Sequence, residues 1–441
     1  MRQRSRSVAG GFLVTAIALG IAASGFAGCG SGDASPCTAK STAIAGDRLT
    51  LLPGARLDRV GDGFVLLGLA PEGGQLLWAS LTFDGLPGPL HSVDLPPHHG
   101  EPWFAVTAGP GALTARVVVA YLAAPSAAPV ATAATAAWLP LMTFTAPLDG
   151  DGDPSTPARV GSLPDPATVP LEAAMGSGAS GQRAGFVWGV RGGAARISAA
   201  VLDASGAPAF ATDDSATPGQ GFGRLVGVAA DDFDCLGFTP GHADLTTIFL
   251  DRSGTPPAPA AVVSELGSAD APDSGASTSV RILLDKNPTD GQAGCVRAAP
   301  LAAGGYVVAW HAPEGTYTGE YSPPLLGQGF QSDLLEPDVR FSDGAPSVAG
   351  LGDVGGPPTG SVPGSLALVA RRTAGVEGWA FGFDNHPRGG SLAFPSRAGQ
   401  IGEVSVQPIG RAIFASYSDA WPVPAGAPPA GQRFLVQLTC P

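Results

Sequence analysis

The sequence predicts an all-β protein, and its repeats favour a β-propeller, most simply one with seven blades. Seven times along the chain, a short run rich in Val, Leu, Phe and Trp is followed by a turn and a second such run. Runs this short, bounded by Gly, Pro and Asp, are typical of strands joined in hairpins. No stretch shows a sustained apolar period of 3.6 residues between helix caps. Because one small sheet cannot bury its faces alone, we expect the repeats to stack radially against their neighbours.

The hairpins recur along the whole chain. Their first strands start near residues 64, 117, 186, 235, 306, 366 and 413. Further β-prone runs precede several hairpins, namely Trp103–Thr107, Leu225–Ala229 and Val404–Pro408, which gives three or four strands per repeat. The pattern resembles a seven-bladed propeller with blades longer than WD40 or kelch repeats, and it lacks the signatures of both. The alternative is one or two β-sandwich domains, which also contain many short strands.

The N-terminus has the features of an export signal. Three arginines, Arg2, Arg4 and Arg6, precede an apolar run over residues 12–23, and small residues then lead to Phe26-Ala27-Gly28-Cys29. A basic region, an apolar region and small residues before a cleavage site are what a secretory signal requires. The segment resembles the signals of bacterial lipoproteins, although it has Phe26 where such signals usually carry Leu. The alternative is a simple secretory signal with an accidental cysteine near its cleavage site.

The resemblance to lipoproteins implies how the chain is organised. Residues 1–28 would be a signal peptide, Cys29 would be the lipid attachment site, and residues 29–36 would be a short tether to a single domain over residues 37–441. In lipoproteins of bacteria with two membranes, Asp after the lipidated cysteine favours the inner membrane. This chain has Gly30 at that position, so the resemblance implies the outer membrane, facing the periplasm or the cell surface. The membrane is then a partner through the lipid anchor.

The charge of the chain argues against a nucleic-acid partner. The formal net charge is −13, and it becomes −13 − 3 = −16 without residues 1–28, which hold three Arg and no acid. Binding to phosphates needs clustered Lys and Arg, whereas the two lysines, Lys40 and Lys286, lie far apart and the arginines are scattered. Gly (64 residues) and Pro (43 residues) are abundant, but a hydrophobic content of 44% is sufficient for a folded core.

Four cysteines remain besides the predicted lipid attachment site. An even number in an exported chain predicts two disulfides, and four cysteines allow three connectivities. We favour Cys37 with Cys440, because a propeller brings its first and last blades together. Cys235 would then pair with Cys295 across a stretch rich in Pro, Ser, Asp and Gly. That stretch, residues 255–299, is expected to be a flexible insertion.

One acidic loop is a candidate metal site. The alternate carboxylates of Asp149, Asp151 and Asp153 in a Gly-relaxed loop suggest a structural Ca²⁺, which needs six to eight oxygen ligands. An EF-hand loop would have Gly and Glu where this chain has Pro154 and Val160, so the pattern is half matched. The alternative is an acidic, solvated turn, and no other cofactor is predicted.

The histidines give a weaker metal signal. His98 and His99 with Glu101 form the one local group that could hold a transition metal. Adjacent histidines usually point apart on an extended segment, so a surface loop is the favoured interpretation.

Known catalytic motifs are missing from the sequence. We find no GxSxG elbow and no glycine-rich loop that opens a helix. The sequence therefore favours a non-enzymatic binding or interaction scaffold whose ligand is an unidentified protein or glycan. The alternative is an enzyme, either a polysaccharide lyase or a glycoside hydrolase. Acidic and basic residues converging at the mouth of the channel would favour the enzyme, and a channel lined by backbone and small residues would favour the scaffold.

Overall fold

The structure of the protein is a computed structural model. It describes residues 37–44, 49, 52, 54–61, 63–108, 115–124, 138–178, 181–191, 197–208, 223–224, 233–241, 245–252, 260–266, 279–283, 295–301, 305–312, 315–321, 331–334, 347–350, 366–372, 375–381, 392–396, 400–409, 412–421, 424 and 430–439. The predicted signal peptide, Cys29, the tether and Cys440 lie outside these ranges. All the described residues belong to the compact unit Ser35–Pro441.

The described residues form 29 β-strands and no helix, so they also hold no helical segment that could cross a membrane. The first strand is β1 (Thr38–Ile44). Sheet 1 comprises β2 (Arg56–Val60), β3 (Gly63–Leu69), β4 (Gln75–Leu81) and β5 (His91–Asp94). Sheet 2 comprises β6 (His98–Thr107), β7 (Arg116–Ala123), β8 (Trp138–Pro147) and β9 (Ala158–Pro164). Sheet 3 comprises β10 (Leu171–Ser177), β11 (Ala184–Val190), β12 (Ser198–Leu202) and β13 (Gly223–Arg224).

The remaining strands continue the same pattern. Sheet 4 comprises β14 (Phe233–Pro240), β15 (Leu245–Asp251), β16 (Ala260–Leu266) and β17 (Ser279–Leu283). Sheet 5 comprises β18 (Val296–Pro300), β19 (Tyr306–Ala312), β20 (Gly315–Tyr321) and β21 (Gln331–Leu334). Sheet 6 comprises β22 (Ser347–Gly350), β23 (Leu366–Arg372), β24 (Gly375–Phe381) and β25 (Leu392–Phe394). Sheet 7 comprises β26 (Gln400–Ile401), β27 (Ser405–Ile409), β28 (Ala412–Trp421), β29 (Ala430–Thr439) and, beside β29, β1.

The sheets are arranged around their first strands. In chain order, β2, β6, β10, β14, β18, β22 and β27 each contact the next, and β27 contacts β2 again. The inner strands of neighbouring sheets therefore line the central channel of a propeller arrangement, and the remaining strands of each sheet lie progressively further out. The predicted all-β propeller arrangement is confirmed.

The hydrophobic core lies between neighbouring sheets, and β7 shows why. Successive side chains of a strand point to opposite faces. Val117, Val119 and Tyr121 pack against sheet 1, whereas Val118 and Leu122 pack against sheet 3. Because both faces are covered, the strand is a continuous apolar run rather than an alternating one. Each such side chain contributes about 1.5–3 kcal/mol through burial.

The N-terminal strand completes the last sheet. β1 pairs antiparallel with β29, in a register that places Thr38 opposite Thr439. Next to this pairing, the fully buried Arg433 of β29 donates to the Leu52 carbonyl oxygen (2.8 Å) and to Ser416 Oγ (3.1 Å). Leu52 leads into sheet 1, so Arg433 joins the last sheet to the first. Burial lowers the pKa of Arg433 to about 10.

Two expectations from the sequence need correction. The stretch 255–299 is not an insertion, because it contains β16, β17 and the start of β18. Its Pro and Gly residues fall largely between these strands. The hairpin that starts near residue 235 consists of the first and second strands of its sheet, whereas the other six hairpins consist of the second and third. The predicted run Leu225–Ala229 lies outside the described residues.

Candidate functional site

A pocket of about 680 Å³ lies where four of the inner strands begin. It is formed by the first residues of β6, β10 and β14, and by Cys295, which immediately precedes β18. Its charged and titratable lining residues are His99, Glu101, Glu172, Asp234 and Arg252, and its larger apolar lining residues are Trp103, Leu171 and Leu236. Acids, an imidazole and a guanidinium therefore converge at the mouth of the channel.

Two β-bulges shape the wall of this pocket. The pairing of β6 with β7 shifts between His99 and Trp103, where Gly100 has a φ of 74°. The pairing of β14 with β15 shifts between Asp234 and Gly237. Within that second bulge Cys235 has a φ of 61°, a left-handed conformation that is rare for a residue with a side chain. Bulges re-aim side chains and occur often next to active sites.

A disulfide holds the second bulge in place. Cys235 is bonded to Cys295, so it ties the inner strand of sheet 4 to the start of the inner strand of sheet 5. This is the pairing that the sequence favours. Cys37 is also disulfide-bonded, and its expected partner Cys440 lies outside the described residues.

Two acids that line the pocket, Glu172 and Asp234, share an arginine. Arg191 Nε lies 3.2 Å from Glu172 Oε1, and the same guanidinium also bonds Asp234 Oδ1. Arg252 Nε contacts the other oxygen of Asp234 at 3.0 Å. The backbone N–H of Leu236, in the bulge, donates to Glu172 Oε2 at 3.2 Å. All four carboxylate oxygens are thus engaged by arginine or backbone donors.

The pKa of Glu172 is nevertheless raised, which favours its protonated form. Burial raises the pKa of its carboxyl, and the charge of Asp234 adds to the rise. The N–H of Leu236 and the guanidinium of Arg191 oppose it, because both stabilise the anion. The net direction is upward, so Glu172 holds a proton at a higher pH than an exposed glutamate does.

His99, which lines the pocket, is paired with an aspartate. His99 Nε2 lies 3.0 Å from Oδ1 of the buried Asp165. Asp165 stands in the turn between β9 and β10, where its Oδ1 also accepts the Ala167 N–H at 2.8 Å. His98 points elsewhere, with its Nδ1 2.8 Å from the Pro96 carbonyl oxygen. The two neighbouring histidines therefore point apart, as expected on an extended strand.

A second polar cluster links the inner strands of sheets 1 to 3. Arg56 of β2 donates to the carbonyl oxygens of Phe104 and Met175, the latter at 3.0 Å, and its guanidinium lies 4.8 Å from the Phe104 ring centroid. Asp58 contacts the same guanidinium at 3.2 Å and Ser177 Oγ at 3.5 Å. These groups bond mainly to one another and to backbone, so they join three sheets rather than face a ligand.

The carboxylates of Asp149, Asp151 and Asp153 do not converge in the structure. All three residues are exposed after the end of β8. Asp149 Oδ1 accepts the Asp151 N–H at 3.0 Å, so that carboxylate caps its own turn. No group of three potential ligands that could hold a metal ion occurs among the described residues, which include this loop and His98, His99 and Glu101. The solvated turn is the alternative that fits.

The sequence alone did not identify most of the pocket residues. Glu172 and Asp234 are each the second residue of an inner strand, and no local motif marks them. Both acids do stand at the start of the β-prone run that begins a repeat, and this position is the one signal that the sequence offers for them. Trp103 packs against Phe186 of the next sheet, at a centroid distance of 5.1 Å, but it is only partly buried and also lines the pocket.

Comparisons with known proteins give similarity of structure alone. No family model matches the chain, and no curated protein matches it. Among solved structures, an α-L-arabinofuranosidase from Fusarium graminearum is 10% identical with a TM-score of 0.42, over 87% of this chain and 92% of that one. The NanB sialidase from Streptococcus pneumoniae is 8% identical with a TM-score of 0.44, over 89% and 69%. The β-propeller domain of the Trilobed protease from Pyrococcus furiosus is 7% identical with a TM-score of 0.41, over 86% and 97%. These similarities assign no activity to the chain.

Proposed function

We propose that this chain is a lipid-anchored envelope protein of a bacterium with two membranes, and that its propeller acts enzymatically on a glycan. The observation that carries the activity is the convergence of Glu172, Asp234, Arg252 and His99 in one pocket at the mouth of the channel. A concave pocket with convergent polar groups and a residue of perturbed pKa is the usual setting of an active site. The partly exposed Trp103 supplies an apolar face on which a sugar ring can stack. Glycoside hydrolysis and polysaccharide elimination are the reaction classes considered.

A non-enzymatic binding scaffold is the second candidate, and one observation favours it. Both oxygens of Glu172 and both of Asp234 already accept bonds from arginine or backbone donors. An ion-pair network can perturb a pKa for purely structural reasons. A glycan would then bind without being cleaved.

Purified mature protein, incubated with a panel of polysaccharides, distinguishes the two candidates. The enzyme releases new chain ends, and the release falls steeply in Glu172→Gln. The scaffold retains the glycan on an affinity gel without shortening it. Lys40→Gln is the matched control, because Lys40 pairs with Asp84 on the exposed surface and should leave turnover unchanged. Binding without shortening of any polysaccharide would reject the enzymatic proposal.

We also propose that seven sheets act as blades of one closed ring, fastened by a disulfide between Cys37 and Cys440. The cycle of inner-strand contacts supports the ring. The register of β1 with β29 supports the disulfide, because Thr38 lies opposite Thr439 and the two cysteines are their outer neighbours. Peptide mapping without reduction tests this pairing, and a peptide that links Cys37 to any other cysteine would reject it.

The lipid anchor on Cys29 is part of the same proposal. It is supported by the basic and apolar segment before Phe26-Ala27-Gly28-Cys29. A single acyl chain holds a protein only marginally, so stable attachment needs a multiply acylated cysteine. Intact-mass analysis of envelope-purified protein should show a chain that begins at acylated Cys29. A mature N-terminus elsewhere, with an unmodified Cys29, would reject the anchor.

A further inference from the structure

We infer that the face of the propeller opposite the pocket contacts a zwitterionic lipid surface, through three exposed apolar side chains of the turn between β4 and β5. The inference goes beyond the proposed activity on a glycan, and it rests on the proposed lipid anchor at Cys29. It depends on three features: the apolar turn, the direction of the strands, and the short chain between Cys29 and β1.

The first feature is the turn itself. Phe83, Leu86 and Leu90 are 41%, 66% and 44% exposed, and they are three of the four large apolar side chains that are exposed among the described residues. The turn is held by its own hydrogen bonds. The Leu86 N–H donates to Thr82 Oγ1 at 3.0 Å, and the Gly85 N–H donates to the Thr82 carbonyl oxygen at 2.9 Å. Single exposed apolar side chains are common on protein surfaces, whereas a group of them in one turn marks a contact surface.

The base of the turn is fixed to two sheets. The Phe83 ring stacks on Phe414 of β28 at a centroid distance of 5.5 Å, and it meets Phe64 of β3 edge-on at 5.4 Å. Phe83 is therefore packed against sheets 1 and 7 while part of its ring stays exposed. Leu86, the most exposed of the three side chains, stands on this rigid base, so little conformational entropy is lost when a partner covers it.

The second feature is the direction of the strands. Arg56 of β2 donates to the Met175 carbonyl oxygen of β10, and two positions later Asp58 contacts Ser177 of the same strand. Strands β2 and β10 therefore run parallel, away from the pocket at which β10 begins. β3 is antiparallel to β2, and β4 is antiparallel to β3, so β4 also runs away from the pocket. The turn that follows β4 thus lies on the opposite face of the propeller.

The N-terminal strand β1 begins on that same face. Gln407 of β27 donates to the Leu57 carbonyl oxygen of β2 at 2.8 Å, and Arg59 of β2 donates to the Pro408 carbonyl oxygen of β27 at 3.4 Å. β27 therefore runs parallel to β2, away from the pocket face. The direction reverses at each step from β27 through β28 and β29 to β1. β1 therefore runs toward the pocket face and begins opposite to it.

The apolar turn and β1 are direct neighbours. Lys40 Nζ of β1 lies 3.2 Å from Asp84 Oδ1 in the turn. A Cβ added at Gly85 would lie 3.1 Å from Cγ2 of Thr42, also in β1. The start of the domain and its exposed apolar side chains therefore share one part of the face opposite the pocket.

The third feature is the short chain between Cys29 and Thr38, the first residue of β1. The two residues are 38 − 29 = 9 positions apart, and an extended chain of that length spans at most about 30 Å. A lipid on Cys29 would therefore keep the membrane surface close to the face that carries Leu86. The pocket, on the other face, would open away from the membrane, where a long polymer can reach it.

The charges that border the turn indicate which lipids it contacts. The exposed acidic loop, residues 149–153, adjoins the turn, because Gly150 packs against the ring of His91, which follows Leu90. Anionic headgroups attract basic segments, so this acidic border gains nothing from them. The contact therefore depends on insertion of apolar side chains, which a zwitterionic surface accepts.

Hydroxyl-radical footprinting tests which face meets the membrane. Mature lipidated protein in phosphatidylcholine vesicles is compared with unlipidated Cys29→Ser protein of the same length in solution. We expect the oxidation of Phe83, Leu86 and Leu90 to fall several-fold in vesicles. Trp138 is the internal control, because it is 43% exposed and begins β8, which runs parallel to β6 and so starts at the pocket face. Equal oxidation of the turn in both samples, or protection of Trp138 instead, would overturn the inference.

A variant and a salt series separate apolar insertion from other contacts. Leu86→Asp should remove the protection of Leu90 in vesicles while the lipid anchor remains, whereas the matched control Trp138→Gln should preserve it. Protection should persist at about 1 M salt, where charges are screened, and its loss there would overturn the apolar contact. A turn already protected in solution, in a Cys29→Ser protein that sediments as a dimer, would mean that a second copy covers it and would also overturn the inference.

The intact mass of the vesicle sample distinguishes failure of this inference from failure of the proposed anchor. An acylated Cys29 together with an unprotected turn would overturn the inference and leave the anchor intact. An unmodified Cys29 would reject the anchor and the inference together.

Discussion

Removing the Cys235–Cys295 disulfide should destabilise the domain by an amount that the structure allows us to estimate. The bond closes a loop of 60 residues, and loop-closure entropy for that length corresponds to about 4 kcal/mol. The entropy of unfolding for a domain of roughly 400 residues is about 0.8 kcal/mol per degree. The expected decrease of the melting temperature is therefore about 5 °C. Cys235→Ala combined with Cys295→Ala is the variant of choice, because it leaves no free thiol to mispair.

Differential scanning calorimetry without reductant measures this change. Wild-type protein reduced in the same buffer should lose at least as much, because Cys37 is also disulfide-bonded. The double variant should also weaken the hold on Glu172, because the Leu236 N–H that binds it belongs to the bulge that the disulfide fixes. A decrease of less than about 1 °C would refute the reasoning. It would mean that strand pairing alone fixes the bulge and that the loop is already restrained in the unfolded chain.

Three further outcomes are expected. Arg433→Met should lower the free energy of unfolding, measured in urea, by roughly 1–3 kcal/mol because it removes the hydrogen bonds that the charged guanidinium donates to the Leu52 carbonyl oxygen and to Ser416 Oγ. The exposed Lys40→Met should change the free energy of unfolding by less than about 0.5 kcal/mol, and equal effects would contradict this. Gly189→Ala should lower the free energy of unfolding by roughly 1–3 kcal/mol, because the new Cβ would lie 2.6 Å from Cζ of Phe233 in the next sheet. An unchanged midpoint of urea unfolding would show that the two sheets can move apart to accept it. Burial raises the pKa of Tyr417, and the charge of Asp419 raises it further. The stability that the protonated Tyr417 provides is therefore complete below pH 10.0, the ordinary pKa of tyrosine, and is lost as the pH rises above that value. In thermal melts at alkaline pH, Tyr417→Phe should therefore lose less stability than wild type, and parallel pH profiles of the two proteins would contradict the shift.

The sequence predicted the repeating sheets because buried strands leave a local signature. Runs such as Val117–Tyr121 are apolar on both faces and short, which distinguishes them from helices without knowledge of their neighbours. The strands of the fourth repeat were assigned to the wrong positions in their sheet, because Phe233–Pro240 is as β-prone as the strand that follows it. With second strands starting at 184, 245 and 306, the intervals become 245 − 184 = 61 and 306 − 245 = 61. The irregular spacing at this repeat was therefore an error of strand assignment.

The pocket could not be predicted in the same way. Glu172 and Asp234 lie on two different inner strands and Arg252 follows β15, so the pocket depends on the contact between β10 and β14 and on the pairing of β14 with β15. Their geometry also depends on a bulge at Cys235, whose positive φ has no sequence signal in a residue other than Gly, Asn or Asp. The acidic loop at Asp149 is a local pattern of the opposite kind, because Asp149 bonds the backbone of its own turn and needs no distant strand.

The pairing of β1 with β29 has a consequence for the order of folding. Thr38 meets Thr439, which lies 439 − 38 = 401 positions later, so the first of the described strands to be synthesised is the last to find its partner. Until the C-terminus arrives, β1 is a strand with two open edges, and open edges pair readily with other chains. Such distant pairings also form slowly. A lipid on Cys29 would hold this waiting segment at the membrane surface, away from other unfinished chains, while the six intervening sheets assemble.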